Sequence, residues 1–525
     1  MKHKFAGVFI AAMAALSASA KIEMGAPFAD GAVLQRGMKV PVWGRVVPAD
    51  GAAPHRVTVA FAGQSKTAAV GEDGVWKVML DPMEASKEGR TMTVCETDPG
   101  FLFDSEADTV EIRDVLVGEV WFASGQSNMG CPIWGYTTRF RDMKGGLMTT
   151  MTRLPNVRYV KCERKWSVEP REFSAKWCRF TRDDLQIFHR ARTGAGGRTS
   201  KGVPLSAVAF YYARELYLAL DVPVGIIDAS WGGTNIDAWT PRCGYDGCDE
   251  SIRATAEYPV KADWKAETDR KGPIDGEHQQ PTVLYNGMVA AFAPMAMRGF
   301  IWYQGCHNGG EPALYCAKMH ALYEGWRREF ANPHLKLYFV QLAPYDQNWL
   351  GICMAQNRFC AEEKNAAIAV TADVGNFYDI HPNEKEIVAK RLVVHALKRD
   401  YSFDIPEDDS PVFKAASFKD GRATVSFDNV KDWYVYAPDR SRAPAFELAG
   451  EDGTWHPAKV ENYRKTKDKT GQTVDSDYID GAEIILSSEA VPAPVKVRYM
   501  GRPKTSGTLY NEASLPLGPF ETRWN

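Results

Sequence analysis

The chain has 525 residues, and its 63 Lys and Arg against 66 Asp and Glu give a formal net charge of −3. No single-sign field dominates, which argues against a general binder of nucleic acid or of membrane surfaces. With 45% hydrophobic and 25% charged residues, 44 Gly and 30 Pro, the composition is globular, and the length suggests roughly two to four domains.

The first twenty residues carry Lys2 and Lys4, an apolar run from Phe5 to Leu16, and then Ser17-Ala18-Ser19-Ala20. Small residues stand where a signal peptidase reads, so residues 1–20 are expected to be a secretory signal peptide and the mature chain to be periplasmic or extracellular. The apolar run is too short for a membrane span, and no later segment approaches the roughly 18 uninterrupted apolar residues that a span needs. Export would place the ten cysteines where disulfides can persist. Only Cys243 and Cys248 lie near enough in sequence to suggest a stapled loop. For most of the thiols buried apolar packing is expected.

Residues 21–113 show short β-rich runs, such as Val40-Pro41-Val42-Trp43 and Val57-Thr58-Val59-Ala60-Phe61, between Gly, Pro and Asp clusters. They predict an all-β, sandwich-like N-terminal domain. Over residues 114–402 the texture changes. Strand-like runs at Val115 to Phe122, Val224 to Ala229, Gly299 to Tyr303, Leu335 to Leu342 and Ala366 to Thr371 alternate with helical patterns. The helical patterns are Ser206 to Leu220, Val283 to Met295, Tyr315 to Phe330, Met354 to Lys364 and Asn383 to Lys398. This predicts an α/β domain with parallel strands and helices on both faces. Two polar stretches, Arg139 to Lys201 and Gly244 to Gln280, are expected to be loop excursions on the carboxyl side of the sheet. An acidic linker, Ile405-Pro406-Glu407-Asp408-Asp409, introduces a second β-rich domain over 403–525.

The phrase Gly118-Glu119-Val120-Trp121-Phe122-Ala123-Ser124-Gly125-Gln126-Ser127-Asn128-Met129 runs a buried strand into a glycine turn and delivers Ser127 just past the strand's carboxyl end. The elbow G-x-S-x-G is absent, because Met129 occupies the second glycine position. Asp379-Ile380-His381-Pro382 can hold an imidazole beside a carboxylate, the pairing that a serine nucleophile needs. Gly232-Gly233 and Gln304 follow two further strands, where a backbone N–H and a side-chain amide can face the oxygen of a tetrahedral intermediate. Taken singly, each phrase is also ordinary turn chemistry. No C-x-x-C pair, H-E-x-x-H or zinc-spaced cluster appears, so no metal is expected.

The ordered set G-Q-S-N-M (125–129), W-G-G-T (231–234), L-Y-N-G-M (284–288), W-Y-Q-G (302–305) and D-I-H-P (379–382) resembles the sialate O-acetylesterase family of SGNH-type hydrolases. Val33-Leu34-Gln35-Arg36 with Pro41-Val42-Trp43-Gly44 resembles that family's N-terminal β domain. Leu509-Tyr510-Asn511 with Leu515-Pro516 resembles its C-terminal end. The resemblance implies a three-layer flavodoxin-like hydrolase domain and cofactor-free deacetylation of sugars. By position it makes Ser127 the nucleophile, His381 the general base and Asp379 its orienting partner. It draws the oxyanion hole from the N–H of Ser127, the N–H of Gly233 and the side chain of Gln304. Family members usually continue Q-G with Glu, a small residue and Asn, whereas this chain has Cys306-His307-Asn308.

The expectation is an exported serine esterase that removes O-acetyl groups from carbohydrate, with O-acetylated sialic acid the leading substrate. The alternatives are an acetylxylan or other polysaccharide acetylesterase, and a non-catalytic glycan-binding protein on an inactivated hydrolase frame. Cys306 could lie on the side of Gln304 and support its amide. A Cys306/His307 nucleophile is disfavoured, because neighbouring side chains on a strand end point apart.

Overall fold

A computed structural model describes residues 21–47, 56–97, 109–133, 153–179, 205–256, 277–435, 445–467 and 473–522. The signal sequence expected over 1–20 lies outside the described residues, as do parts of both polar stretches.

The N-terminal region supplies β1 (Lys21–Met24), β2 (Val33–Gln35), β3 (Val40–Val47), β4 (Arg56–Phe61), β5 (Gln64–Ala69), β6 (Val75–Leu80) and β7 (Ser86–Thr97). Burial alternates residue by residue along β4 and β6, the pattern of a sheet with one face in the core. Then comes β8 (Thr109–Gly125), a 17-residue strand. Its first half pairs antiparallel with β7 and parallel with β2. Its second half is flanked by parallel strands. The boundary expected at residues 113 and 114 therefore falls inside one continuous strand, marked only by Asp114 in the left-handed region at φ 56.

The remaining strands of the main sheet are β9 (Val157–Lys161), β10 (Cys178–Arg179), β11 (Val224–Ser230), β12 (Gly299–Tyr303), β13 (Lys336–Val340) and β14 (Ala366–Ala369). Their order is β10-β9-β11-β8-β12-β13-β14. All neighbours from β9 to β14 are parallel, and β10 closes one edge antiparallel. Four of the five predicted strands match β11 to β14 closely, and the fifth, Val115 to Phe122, lies in the middle of β8. Strand β9 is a correction: it arises inside the stretch expected to be an excursion. Its Val-Arg-Tyr-Val core is buried, but Lys and Arg in the surrounding sequence mask the pattern.

Because successive strand residues point to opposite faces, each strand feeds two cores. Trp121, Ala123, Ile226, Ile301 and Val340 pack with α2 (Ala207–Leu220) and α6 (Lys385–Tyr401). Phe122, Ile227, Phe300, Trp302 and Phe339 pack with α4 (Pro312–Glu329) and α5 (Leu350–Glu362). Helix α1 (Ser127–Gly130) is a single turn, and α3 (Glu250–Ala256) is a short surface helix. Residues 283–295, expected to be one helix, form a π-helical turn at Tyr285–Val289 and a 3₁₀ turn at Ala290–Phe292. The described residues from Val412 to Glu521 are strand-rich and form three four-stranded sheets.

The motif Val33-Leu34-Gln35-Arg36 has a physical role. Gln35 accepts from Val120 N–H at 2.9 Å and donates to the Glu119 carboxylate at 3.0 Å, while Arg36 meets Glu119 at 2.6 Å. Arg298 and the Tyr401 hydroxyl complete the shell. Burial pushes the Glu119 carboxyl up, but Arg298, Arg36 and Gln35 outweigh it and hold the group below the usual carboxylate range.

Candidate active site

Strand β8 sits between β11 and β12 in the parallel part of the sheet, and an open parallel sheet forms its ligand crevice outside the carboxyl ends of such strands. Gly125, the last residue of β8, pairs with Ser230 and Tyr303. Its φ is 133, and a Cβ there would lie 2.3 Å from the Tyr303 carbonyl oxygen, so only glycine allows the turn. The chain then enters α1 with Ser127 half-buried at the crevice.

The structure brings Ser127 and His381 together across 254 residues, with Oγ and Nε2 2.8 Å apart. The Nδ1 of His381 lies 3.3 Å from Asp379 Oδ1, and the same oxygen accepts the His381 backbone N–H at 2.9 Å. A proton on Nδ1 facing that carboxylate leaves Nε2 to accept the Ser127 hydroxyl proton. Burial lowers the His381 imidazole below its usual value; Asp379 opposes this and Lys385 adds to it. The neutral ring is thereby favoured, as a general base requires. Asp379 is half exposed, unlike the buried carboxylate of a serine protease triad.

Two residues that received no role from the sequence hold this arrangement. Asn128 donates from Nδ2 to the Ile380 carbonyl at 3.0 Å, and the buried Lys385 donates to Asn128 Oδ1. Asn128 stands inside the G-Q-S-N-M phrase. Lys385 resembles any helix-start lysine until the tertiary structure buries it.

The oxyanion side separates into two kinds of group. Among the described residues no acceptor meets the backbone N–H of Ser127 or of Gly233. Gly233 has φ 72 and open space where a Cβ would be. Gly232 is tightly placed, since a Cβ there would come 3.1 Å from Ser127 Cβ. The Gly233 peptide is held from behind. Gln279 donates to its carbonyl and accepts from Asn235 N–H at 2.9 Å, and Asn235 returns a bond to the Gln279 carbonyl at 2.8 Å. Beside it, the Trp231 and His278 rings stack at 5.1 Å and 6°.

Gln304 behaves differently from the expectation. It is fully buried, and Nε2 donates to the Thr234 carbonyl at 3.0 Å and to Asn308 Oδ1 at 2.8 Å, while Oε1 accepts from the Tyr315 hydroxyl at 2.8 Å. With both amide protons committed, its side chain has none left for an oxyanion. Gln304 instead fixes the turn that follows Gly233. Support for its amide comes from Asn308 and Tyr315, not from Cys306, which starts a 3₁₀ turn at Cys306–Asn308.

Cys243 and Cys248 are both free thiols, so the stapled loop is not formed. The Cys243 thiol faces Glu329 at 3.2 Å. Among the described residues two groups of metal-ligand types come together in space, Cys316 with His320 and Glu362, and His395 with Asp408 and Asp409. Arg358 holds Glu362 in the first, Lys398 and Arg399 neutralise the second, and neither includes Ser127 or His381.

The chain is similar to rat sialate O-acetylesterase, at 27% identity over 62% of this chain and 63% of the relative, and to the human sialate O-acetylesterase, at 28% over 60% and 59%. The matches thus span under two thirds of the length of these curated relatives. A solved structure of a carbohydrate acetylesterase from Xanthomonas citri is similar over 96% of this chain and 99% of its own, with 28% identity and a TM-score of 0.73. Residues 117–389, just over half of the chain, match the profile of the carbohydrate esterases described as sialic acid-specific acetylesterases, and they include Ser127, Gly233, Gln304, Asp379 and His381. The chain belongs to that carbohydrate esterase family.

Proposed function

We propose that the protein is an exported serine esterase that hydrolyses O-acetyl groups on carbohydrate, built on a three-layer SGNH-type frame with an N-terminal β region that shares β8 with the main sheet and a C-terminal β domain at 403–525. The observation that carries this reading is the 2.8 Å contact between Ser127 and His381 at the carboxyl end of β8, beside two backbone N–H groups that meet no acceptor among the described residues. Ser127 Oγ attacks the acetyl carbonyl carbon as its proton passes to His381 Nε2. The N–H groups of Ser127 and Gly233 receive the developing oxyanion. Collapse breaks the ester bond, and His381 returns the proton to the departing sugar oxygen. Water, deprotonated by His381, then attacks acetyl-Ser127 and releases acetate. No metal or cofactor enters any step.

Acetylated sialic acid is the leading substrate on the family's description. A polysaccharide acetyl ester is the second reading, since the Xanthomonas citri carbohydrate acetylesterase that is similar along nearly the whole chain is described by no particular sugar. Acetate release from a panel of acetylated sialosides and xylans tests both. Failure to release acetate from any acetyl ester would leave only a glycan-binding role.

A further inference from the structure

Lys385 opens α6 four residues after His381 and is fully buried. Burying an ammonium group is unfavourable by several kcal/mol unless its surroundings repay it, so its position calls for a reason. The Nζ bonds Asn128 Oδ1 and lies 5.3 Å from the centre of the Tyr303 ring at the end of β12. Asn128 adjoins Ser127, and its own amide holds the carbonyl of Ile380, which adjoins His381. Lysine, asparagine and carbonyl therefore form a bridge from the nucleophile turn to the histidine loop.

We propose that Lys385 is a positioning residue for acyl transfer: through Asn128 it sets the Ser127–His381 distance, and its buried ammonium, held beside the histidine loop, opposes a second positive charge on the imidazole. The inference rests on the esterase reading above. Several groups bear on this charge. Asp379 faces both His381 and Lys385, Glu384 precedes the lysine, and the thiols of Cys131 and Cys306 lie nearby. Glu386 and Lys390, further along α6, pair with each other, and Glu386 also pairs with Arg214 on α2, forming a separate ion cluster. Burial lowers the Lys385 ammonium to about 8, so the charge is present at neutral pH and fades under mildly alkaline conditions. Cys306 occupies the position where relatives are expected to carry a carboxylate, so on this side of the lysine the chain offers a neutral thiol.

Three variants separate the bridge from the charge. Lys385→Gln can still donate to Asn128 but is neutral, Lys385→Met loses both roles, and Asn128→Ala breaks the bridge while keeping the ammonium. Removing a nearby positive charge raises an imidazole pKa, so the acid limb of kcat/KM should move to higher pH by about half a unit to one unit in both lysine variants. It should not move upward in Asn128→Ala. The kcat should fall roughly 10- to 100-fold in Lys385→Met and Asn128→Ala, with KM little changed, and less in Lys385→Gln. A readout that needs no substrate is the NMR titration of His381 in the wild type and in Lys385→Gln. If wild type releases no acetate, the esterase reading fails, and the titration still decides whether Lys385 acts on His381. An unmoved His381 titration in Lys385→Gln, or wild-type kcat in Asn128→Ala, overturns the proposal, and a merely structural lysine would leave the titration where it is.

Discussion

The two ends of the buried half of β8 are built from similar polar material and do opposite things. At the amino end, Glu119 is surrounded by Gln35, Arg36, Arg298 and Tyr401, and its bonding capacity is used up. At the carboxyl end, Ser127 has its hydroxyl on His381, and its backbone N–H and that of Gly233 meet no acceptor among the described residues. A polar group with a full set of partners holds the fold, and one with capacity left over can act on a visitor. By that criterion Gln304, at the same crevice, sorts with Glu119 and not with Ser127.

The contrast is broken most easily by Ser127→Ala, which should lower turnover by about 10⁴ or more and leave thermal stability unchanged. Retention of a tenth of wild-type turnover would remove Ser127 from the mechanism. Glu119→Ala should do the reverse, costing about 3 kcal/mol of stability in denaturant while folded molecules turn over normally. Because the Glu119 carboxyl is held low in the folded state, its contribution is present at neutral pH and is lost as pH falls through that depressed value. A Glu119→Ala enzyme of wild-type stability would show the amino-end cluster to be idle.

Gln304→Ala sharpens the comparison, since it exposes unmet groups on Thr234, Asn308 and Tyr315. It should lose about 2–4 kcal/mol of stability and turnover together. Turnover lowered 10²–10³-fold at unchanged stability would instead return its side chain to the oxyanion hole. Asp379→Asn should lower kcat roughly 10- to 100-fold, less than a buried triad carboxylate would, because half the group faces water. The smallest effect is expected of Cys306→Ser. Loss of solvation pushes this thiol up to about 12, leaving almost no thiolate at neutral pH, so most activity should survive. An inactive Cys306→Ser beside an active Ser127→Ala would reverse the nucleophile assignment.

Much of this was legible in the residues. Uninterrupted apolar runs such as Gly299–Tyr303 can be read directly as buried parallel strands, and the glycine before Ser127 announces the turn that exposes it. Asp379 and His381, two apart on one loop, are close by covalent geometry alone. What stayed hidden depends on contacts distant in sequence. Gln304 looks like an available amide until Thr234, Asn308 and Tyr315 close around it, and Lys385 looks like a solvated lysine until α6 packs against the sheet. Strand β9 is disguised because its neighbouring basic residues lower the local hydrophobicity without unpairing its backbone.

The continuity of β8 bears on how such proteins can be taken apart or recombined. A module that can be exchanged between enzymes needs a border that few hydrogen bonds cross. Here the N-terminal region and the sheet that presents Ser127 share one strand, and β2 and β7 supply its ladder from Thr109 to Gly118. Removing residues 21–97 would strip that ladder, leaving a long edge of unpaired N–H and C=O groups in the strand that leads to the nucleophile. The N-terminal β region is thus inherited with the hydrolase sheet as one unit, and shortened versions of the protein should begin upstream of β1.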